Sequence, residues 1–188
     1  GVGTITGTVA EIKAVVDAAN ITTAANYAAT ASNSGTTADV NAIAGDTAGI
    51  VTAGVSDNDI ATLSGLATAA TDAITVTVTD ASVVATALTT LDGKTSVAVD
   101  ASGVGTITGT VAEIKAVVDA GAGITTAANY AATVTGDTTA TAANLAALFG
   151  DTAGTVDATN ITTITGTVAE IKAVVDAANI TTAANYAA

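Results

Sequence analysis

The chain has 188 residues, 49% of them apolar yet only 2% aromatic, and seventeen acids against four basic residues give a net charge of −13. That charge excludes a phosphate-binding nucleic-acid surface, which needs clustered Lys and Arg, and disfavours an anionic membrane. Cys, His, Pro, Met and Trp are absent, which removes disulfides, thiolate metal sites, Ser-His-Asp triads and thiol nucleophiles.

Small residues dominate the apolar fraction, so a thick core of Leu, Phe and Trp is not available, and burial has to come from thin layers packed closely. The mean hydropathy of +0.59 and the abundant Val and Ile argue against disorder. No apolar run reaches membrane-spanning length.

The first element, at the N-terminus, introduces a repeat. Residues 4–18 read TITGTVAEIKAVVDA and recur at 106–120 and 163–177; residues 5–29 and 164–188 are identical. Thr8-x-x-Glu11 is a capping box, in which the hydroxyl and the carboxylate each satisfy a free amide at a helix start. A helix therefore begins near Thr8, with Val9, Ile12 and Val16 on one apolar stripe and Lys13 paired with Asp17 on the outside. Thr36/Asp39 and Ser56/Asp59 are weaker capping pairs and place the next two helices. A fourth helix is expected near Asp80, and the Thr110/Glu113 box, Thr138 and the Thr167/Glu170 box start the remaining three. Spacings of roughly 20 to 30 residues fit strand-plus-helix repeats.

The stretches between helices read as strands. AITVTVTDA at 73–81 alternates Ile74, Val76 and Val78 with Thr75, Thr77 and Thr79, the period of a half-buried strand. Residues 95–109 carry Val97 and Val99, a Ser102-Gly103 turn and a second extended piece; residues 154–166 have the same form with Asn160 at the turn. ITTAANYAAT suits either a helical turn or a strand, so one or two strands per repeat remain open at this level.

Strand and helix in alternation, with short connections, imply parallel strands. The expected fold is α/β: a right-handed solenoid of strand-plus-short-helix repeats, parallel sheet on one side and helices on the other. Residues 1–188 are expected to form a single array of about seven repeats. Both termini fall inside a repeat, which predicts a segment of a longer repetitive protein.

Candidate chemistry is sparse. Glu11, Glu113 and Glu170, with Lys13, Lys115 and Lys172, form a three-fold set, but capping already accounts for the glutamates, and no catalytic residue is assigned. GVGTITG at 1–7 and 103–109 lacks the glycine register of a dinucleotide fingerprint, and no phosphate-loop motif occurs. Acids recur at turns: Asp46 and Asp151 in GDTAG, then Asp80, Asp100, Asp137 and Asp157. The densest group, Asp57 and Asp59 in VSDNDI, is the one candidate for calcium, although the same residues describe a helix N-cap. The threonines 75, 77 and 79 occur in one repeat only, too few for an ordered threonine array.

ITGTVAEIKAVVDA, VTVTD and ITTAANYAA together make the chain resemble the repeat tracts of giant cell-surface proteins of cyanobacteria and marine bacteria, of adhesin-like, motility-associated or surface-layer-like kinds. The resemblance implies an extracellular or cell-surface, non-enzymatic stretch that spaces or projects other domains. The expected function is thus a structural repeat module, a rod or filament segment built by stacking and by self-association through repeat ends. The alternative is an adhesin segment stiffened by calcium or binding a glycan. No nucleic acid and no membrane insertion are expected, and calcium is the sole cofactor considered.

Overall fold

A computed structural model describes residues 1–188. It is mixed α/β, with parallel sheets, seven α-helices and no closed barrel. In chain order the elements are β1 (Thr4–Gly7), α1 (Val9–Val16), β2 (Ala28–Gly35), α2 (Thr37–Asp46), β3 (Val51–Val55), α3 (Ile60–Leu63), β4 (Ala73–Thr75), β5 (Ser82–Val84), α4 (Ala85–Asp92), β6 (Val99–Ala101) and β7 (Thr106–Gly109). They continue with α5 (Val111–Ala120), β8 (Ile124–Thr126), β9 (Ala131–Val134), β10 (Thr139–Thr141), α6 (Ala142–Asp151), β11 (Val156–Ala158), β12 (Thr163–Thr165), α7 (Val168–Asp176) and β13 (Ile180–Thr182). The chain divides into two compact units, Gly1–Thr79 with Thr90–Asp100, and Asp80–Thr89 with Ala101–Ala188.

In the first unit β1, β2, β3 and β4 lie side by side in sequence order, all parallel. Thr4 faces Ala28, Ala29 faces Val51 and Thr52 faces Ala73, so each repeat returns the chain one strand further along the sheet. Helix α1 packs on α2. The buried side chains include Val9, Ile12, Val40, Ile43, Val51, Leu63 and Ile74.

In the second unit β5, β7, β9, β11 and β13 form one parallel sheet, and β10 pairs with β12 in another. Both β11 and β12 lie between α6 and α7, so this repeat carries two strands, assigned to different sheets. Helices α5, α6 and α7 pack in series. Val111, Ile114, Leu145, Leu148 and Val174 supply their buried faces.

Four of the seven expected helix starts coincide with observed caps: Thr8, Thr36, Thr110 and Thr167. Three are displaced, each for a local reason. Ser56 extends the strand pairing by donating its amide to Gly35 O, and Asp59 caps α3 instead, accepting from Thr62 N. Near Asp80, Val83 is buried in β5 opposite Ile107, so α4 starts at Ala85. Thr139–Thr141 is claimed by β10, which leaves Thr141 rather than Thr138 to cap α6 through Asn144 N.

The period-two reading of 73–81 holds in burial: Ile74, Val76 and Val78 are buried while Thr75, Thr77 and Thr79 are exposed. The segment ITTAANYAAT is not a helix. In its second copy Ile124–Thr126 and Ala131–Val134 are strands joined by a turn at Ala128–Asn129. The apolar stripe of α1 also differs from expectation. Val16 is half-buried, and in the other copies the valine buried in the second half of the helix is Val117 or Val174, counterparts of Val15.

Candidate functional site

The capping glutamates are engaged as their spacing requires. Glu11 Oε2 accepts from Thr8 N at 2.8 Å and from Thr8 Oγ1 at 2.9 Å, while Glu11 N donates to Thr8 Oγ1 at 3.2 Å. Thr110/Glu113 and Thr167/Glu170 repeat the reciprocal bonds between backbone amide and side chain. Hydrogen bonds from the Thr8 and Thr167 amides, then their hydroxyls, hold the Glu11 and Glu170 carboxyls below the ordinary value. Lys13 pairs with Asp17 at 2.5 Å, Lys115 with Asp119 at 2.6 Å, and Lys172 with Asp176, all at the helix surface. The hydrogen bond to Asp17, with the attraction of its charge, raises the Lys13 ammonium pKa. These groups stand on separate helices as structural pairs.

Asp57 and Asp59 serve two different helices. Asp57 Oδ2 accepts from Thr37 N at 2.7 Å, at the start of α2, and Asp59 Oδ1 accepts from Thr62 N at 2.9 Å in α3. The second contact lowers the Asp59 pKa. No group of three or more His, Cys, Asp or Glu side chains stands together as a metal site.

The most elaborate polar arrangement joins consecutive repeats, and it was not assigned from the sequence. Tyr27 is fully buried, and its hydroxyl donates to Asp46 Oδ2 at 2.9 Å, which also accepts from Thr23 Oγ1 at 3.0 Å. Thr47 Oγ1 donates to Tyr27 O and accepts from Gly49 N at 2.9 Å. Gly49 lies against the same carbonyl, so a Cβ there would collide with it. The second GDTAG repeats these contacts except the one from Thr23: Tyr130 Oη to Asp151 Oδ2 at 2.9 Å, Thr152 Oγ1 to Tyr130 O at 2.6 Å, Gly154 N to Thr152 Oγ1 at 2.9 Å, with Gly154 pressed on the Tyr130 carbonyl. GDTAG is therefore a clamp on the tyrosine of the preceding repeat. The signal was available as a Tyr placed about twenty residues before each GDTAG, but nothing in the spacing of one isolated copy discloses it.

Burial and the Asp46 hydrogen bond push the Tyr27 phenol up to about 12, and the same causes raise Tyr130. A deeply protonated phenol that donates to a carboxylate is a structural donor.

A second inter-repeat contact caps helices. Val9 N donates to Asn33 Oδ1 at 2.8 Å and Val111 N donates to Asp137 Oδ2 at 2.7 Å, each acceptor coming from the following repeat. The Asp57 contact to Thr37 N is of the same kind.

Two apolar clefts are open to solvent. One of about 340 Å³ is lined by Val2, Ile5, Val15 and Ile21; the other, about 500 Å³, by Val168, Ile171, Val175 and Ala188. Neither gathers a nucleophile with a base or a set of converging polar groups.

Comparison with protein-family models, with curated proteins and with solved structures finds no match. No helix is long and apolar enough to cross a membrane.

Proposed function

We propose that the chain is a structural repeat module, a solenoidal rod or filament segment in which stacking of successive repeats supplies the stability and sets the length. It belongs to a secreted or cell-surface protein on this reading, and it is not an enzyme.

The observation that carries the proposal is the fate of one valine in three identical contexts. Val9, Val111 and Val168 occupy the same place in the repeated VAEIKAVV, yet their exposures are 2%, 3% and 86%. Val9 and Val111 stand on helices against which the helix of the next repeat packs; residues 1–188 include no such repeat beyond Val168. The local sequence is constant, so the neighbouring repeat supplies the burial, as nearest-neighbour stacking requires. The polar contacts agree: clamps and caps run from one repeat to the next. Self-association through the two uncovered faces, at Val2 and Ile21 and at Val168 and Val175, belongs to the same reading.

Sedimentation velocity of the purified chain, with calcium and with chelator, tests it. An elongated particle with the same frictional ratio in both conditions is expected. A compact particle overturns the rod, and elongation that appears only with calcium transfers the assignment to an ion-stiffened adhesin segment.

A further inference from the structure

The clamp on Tyr27 and Tyr130 occurs a third time with its chemistry changed. Thr95 is buried, and its hydroxyl donates to Ile74 O at 2.7 Å and accepts from Val97 N at 3.0 Å, as Thr152 does with Tyr130 O and Gly154 N. The residue after each threonine confirms the correspondence. Ala48 N donates to Ala25 O, Ser96 N to Asp72 O and Ala153 N to Ala128 O, in each case two residues before the clamped carbonyl. Ile74 therefore stands where Tyr27 and Tyr130 stand, Lys94 where Asp46 and Asp151 stand, and Val97 where Gly49 and Gly154 stand.

The two halves of the clamp separate in this comparison. The threonine's bond to a backbone carbonyl is kept at all three places, since every residue supplies a carbonyl. The acid is present where the clamped residue is tyrosine, and lysine replaces it where that residue is isoleucine. Asp46 and Asp151 are the last residues of α2 and α6, where the negative end of the helix disfavours a carboxylate and favours an ammonium. A tyrosine hydroxyl at 2.9 Å offsets that cost, and isoleucine has no donor to do so. In the other direction, a buried phenol needs an acceptor, which lysine cannot provide. Lys94 also differs from the other lysines in its surroundings: Lys13, Lys115 and Lys172 each pair with an aspartate four residues on, and Lys94 has no ion pair.

We infer that the residue ahead of the clamp threonine selects the repeat on which its own repeat stacks. Aspartate at 46 and 151 requires tyrosine in the repeat before, and lysine at 94 is matched to isoleucine. The threonine supplies a contact common to all three joints. The residue before it discriminates, because a mismatch leaves a buried phenol without an acceptor or a helix-end carboxylate without a donor.

The inference rests on the stacking reading, and one experiment separates the two. Amide hydrogen exchange, resolved by peptide, is followed over residues 126–134 and 150–156 in the full chain. It is compared with Tyr130→Phe, Asp151→Lys, the two combined, and Thr152→Val. Asp151→Lys is expected to speed exchange at this joint by about tenfold and Tyr130→Phe by about threefold, while the combined variant exchanges no faster than Tyr130→Phe alone. Lysine is thus tolerated once the hydroxyl is gone. Thr152→Val is expected to speed exchange whichever residue stands at 130. Should Asp151→Lys unfold the chain, the same rescue appears as refolding on addition of Tyr130→Phe. A combined variant as fast as Asp151→Lys, or an Asp151→Lys chain that exchanges like the parent, overturns the inference and leaves stacking standing. Exchange unchanged in every variant, Thr152→Val included, overturns both.

Discussion

The hydroxyl of Tyr130 donates to Asp151 Oδ2 at 2.9 Å across the boundary between consecutive repeats, and Thr152 at the same time holds the Tyr130 carbonyl. One loop thus fastens both ends of one residue, and it does so with a buried threonine, 3% exposed. Removing Thr152 leaves a buried carbonyl short of its side-chain donor, the costly case for a hydrogen bond. Thr152→Val is expected to lower the stability of the full chain by about 1–3 kcal/mol in urea unfolding, and Tyr130→Phe by about 1 kcal/mol. Gly154→Ala, which forces a methyl group into the Tyr130 carbonyl, is expected to cost more than either. Equal and negligible losses would remove the clamp from the account.

The three equivalent valines make a controlled series. Val111→Ala and Val9→Ala each leave a cavity at a buried position and are expected to cost about 2 kcal/mol. Val168→Ala removes a side chain already in water and is expected to stay within about 0.5 kcal/mol of the parent. The three proteins change the same residue in the same octapeptide, so helix propensity cancels. Similar losses at all three positions would mean that burial by the neighbouring repeat is not what stabilises them.

Stability at high pH is expected to follow the tyrosines. The Tyr27 phenol ionises at about 12 when folded, above its ordinary value of 10. The folded state therefore holds its proton over a range in which the unfolded chain has lost it. The contribution is complete below about pH 10 and is lost as the pH rises towards about 12. Tyr130 shifts in the same direction and adds to the effect. Thermal melting across that range should show the decline, and Tyr27→Phe with Tyr130→Phe should flatten it.

At the acid end the sign reverses. The carboxyls of Glu11, Asp59 and Glu170 are held below their ordinary values by amide donors, so their contribution is present above those values and is lost as the pH falls below about 4. A melting temperature that stayed level down to pH 2 would show that these caps contribute nothing.

Calcium provides a separate check on Asp57 and Asp59. Each carboxylate already accepts a helix amide, and the two face different helices. Melting in millimolar calcium is expected to match melting in chelator. A calcium-dependent rise that Asp59→Asn abolishes would restore the pair as an ion site.

Local order was legible in the sequence to the extent that its causes are local. Thr8-x-x-Glu11 and its two copies specify helix starts because both halves of the capping box lie within one turn, and the structure contains all three. The alternation of Ile74, Val76 and Val78 with threonine specified which side chains are buried for the same reason. Where a start was displaced, at Asp80 and Thr138, the competing cause was a strand partner: Ile107 opposite Val83, and Ile164 opposite Ala140.

Repetition, composition and capping chemistry by themselves determined that this protein is an array of short strands and helices without cysteine or histidine chemistry. Tertiary structure alone decided which of the identical residues are buried, which sheet each strand joins, and that GDTAG grips a tyrosine from the repeat before it. The physical reason is that these properties belong to contacts about twenty or more residues apart. Val9 and Val168 stand in the same octapeptide, yet their exposures are 2% and 86%, and the backbone that lies against Val9 is that of Gly35, 26 residues further along the chain.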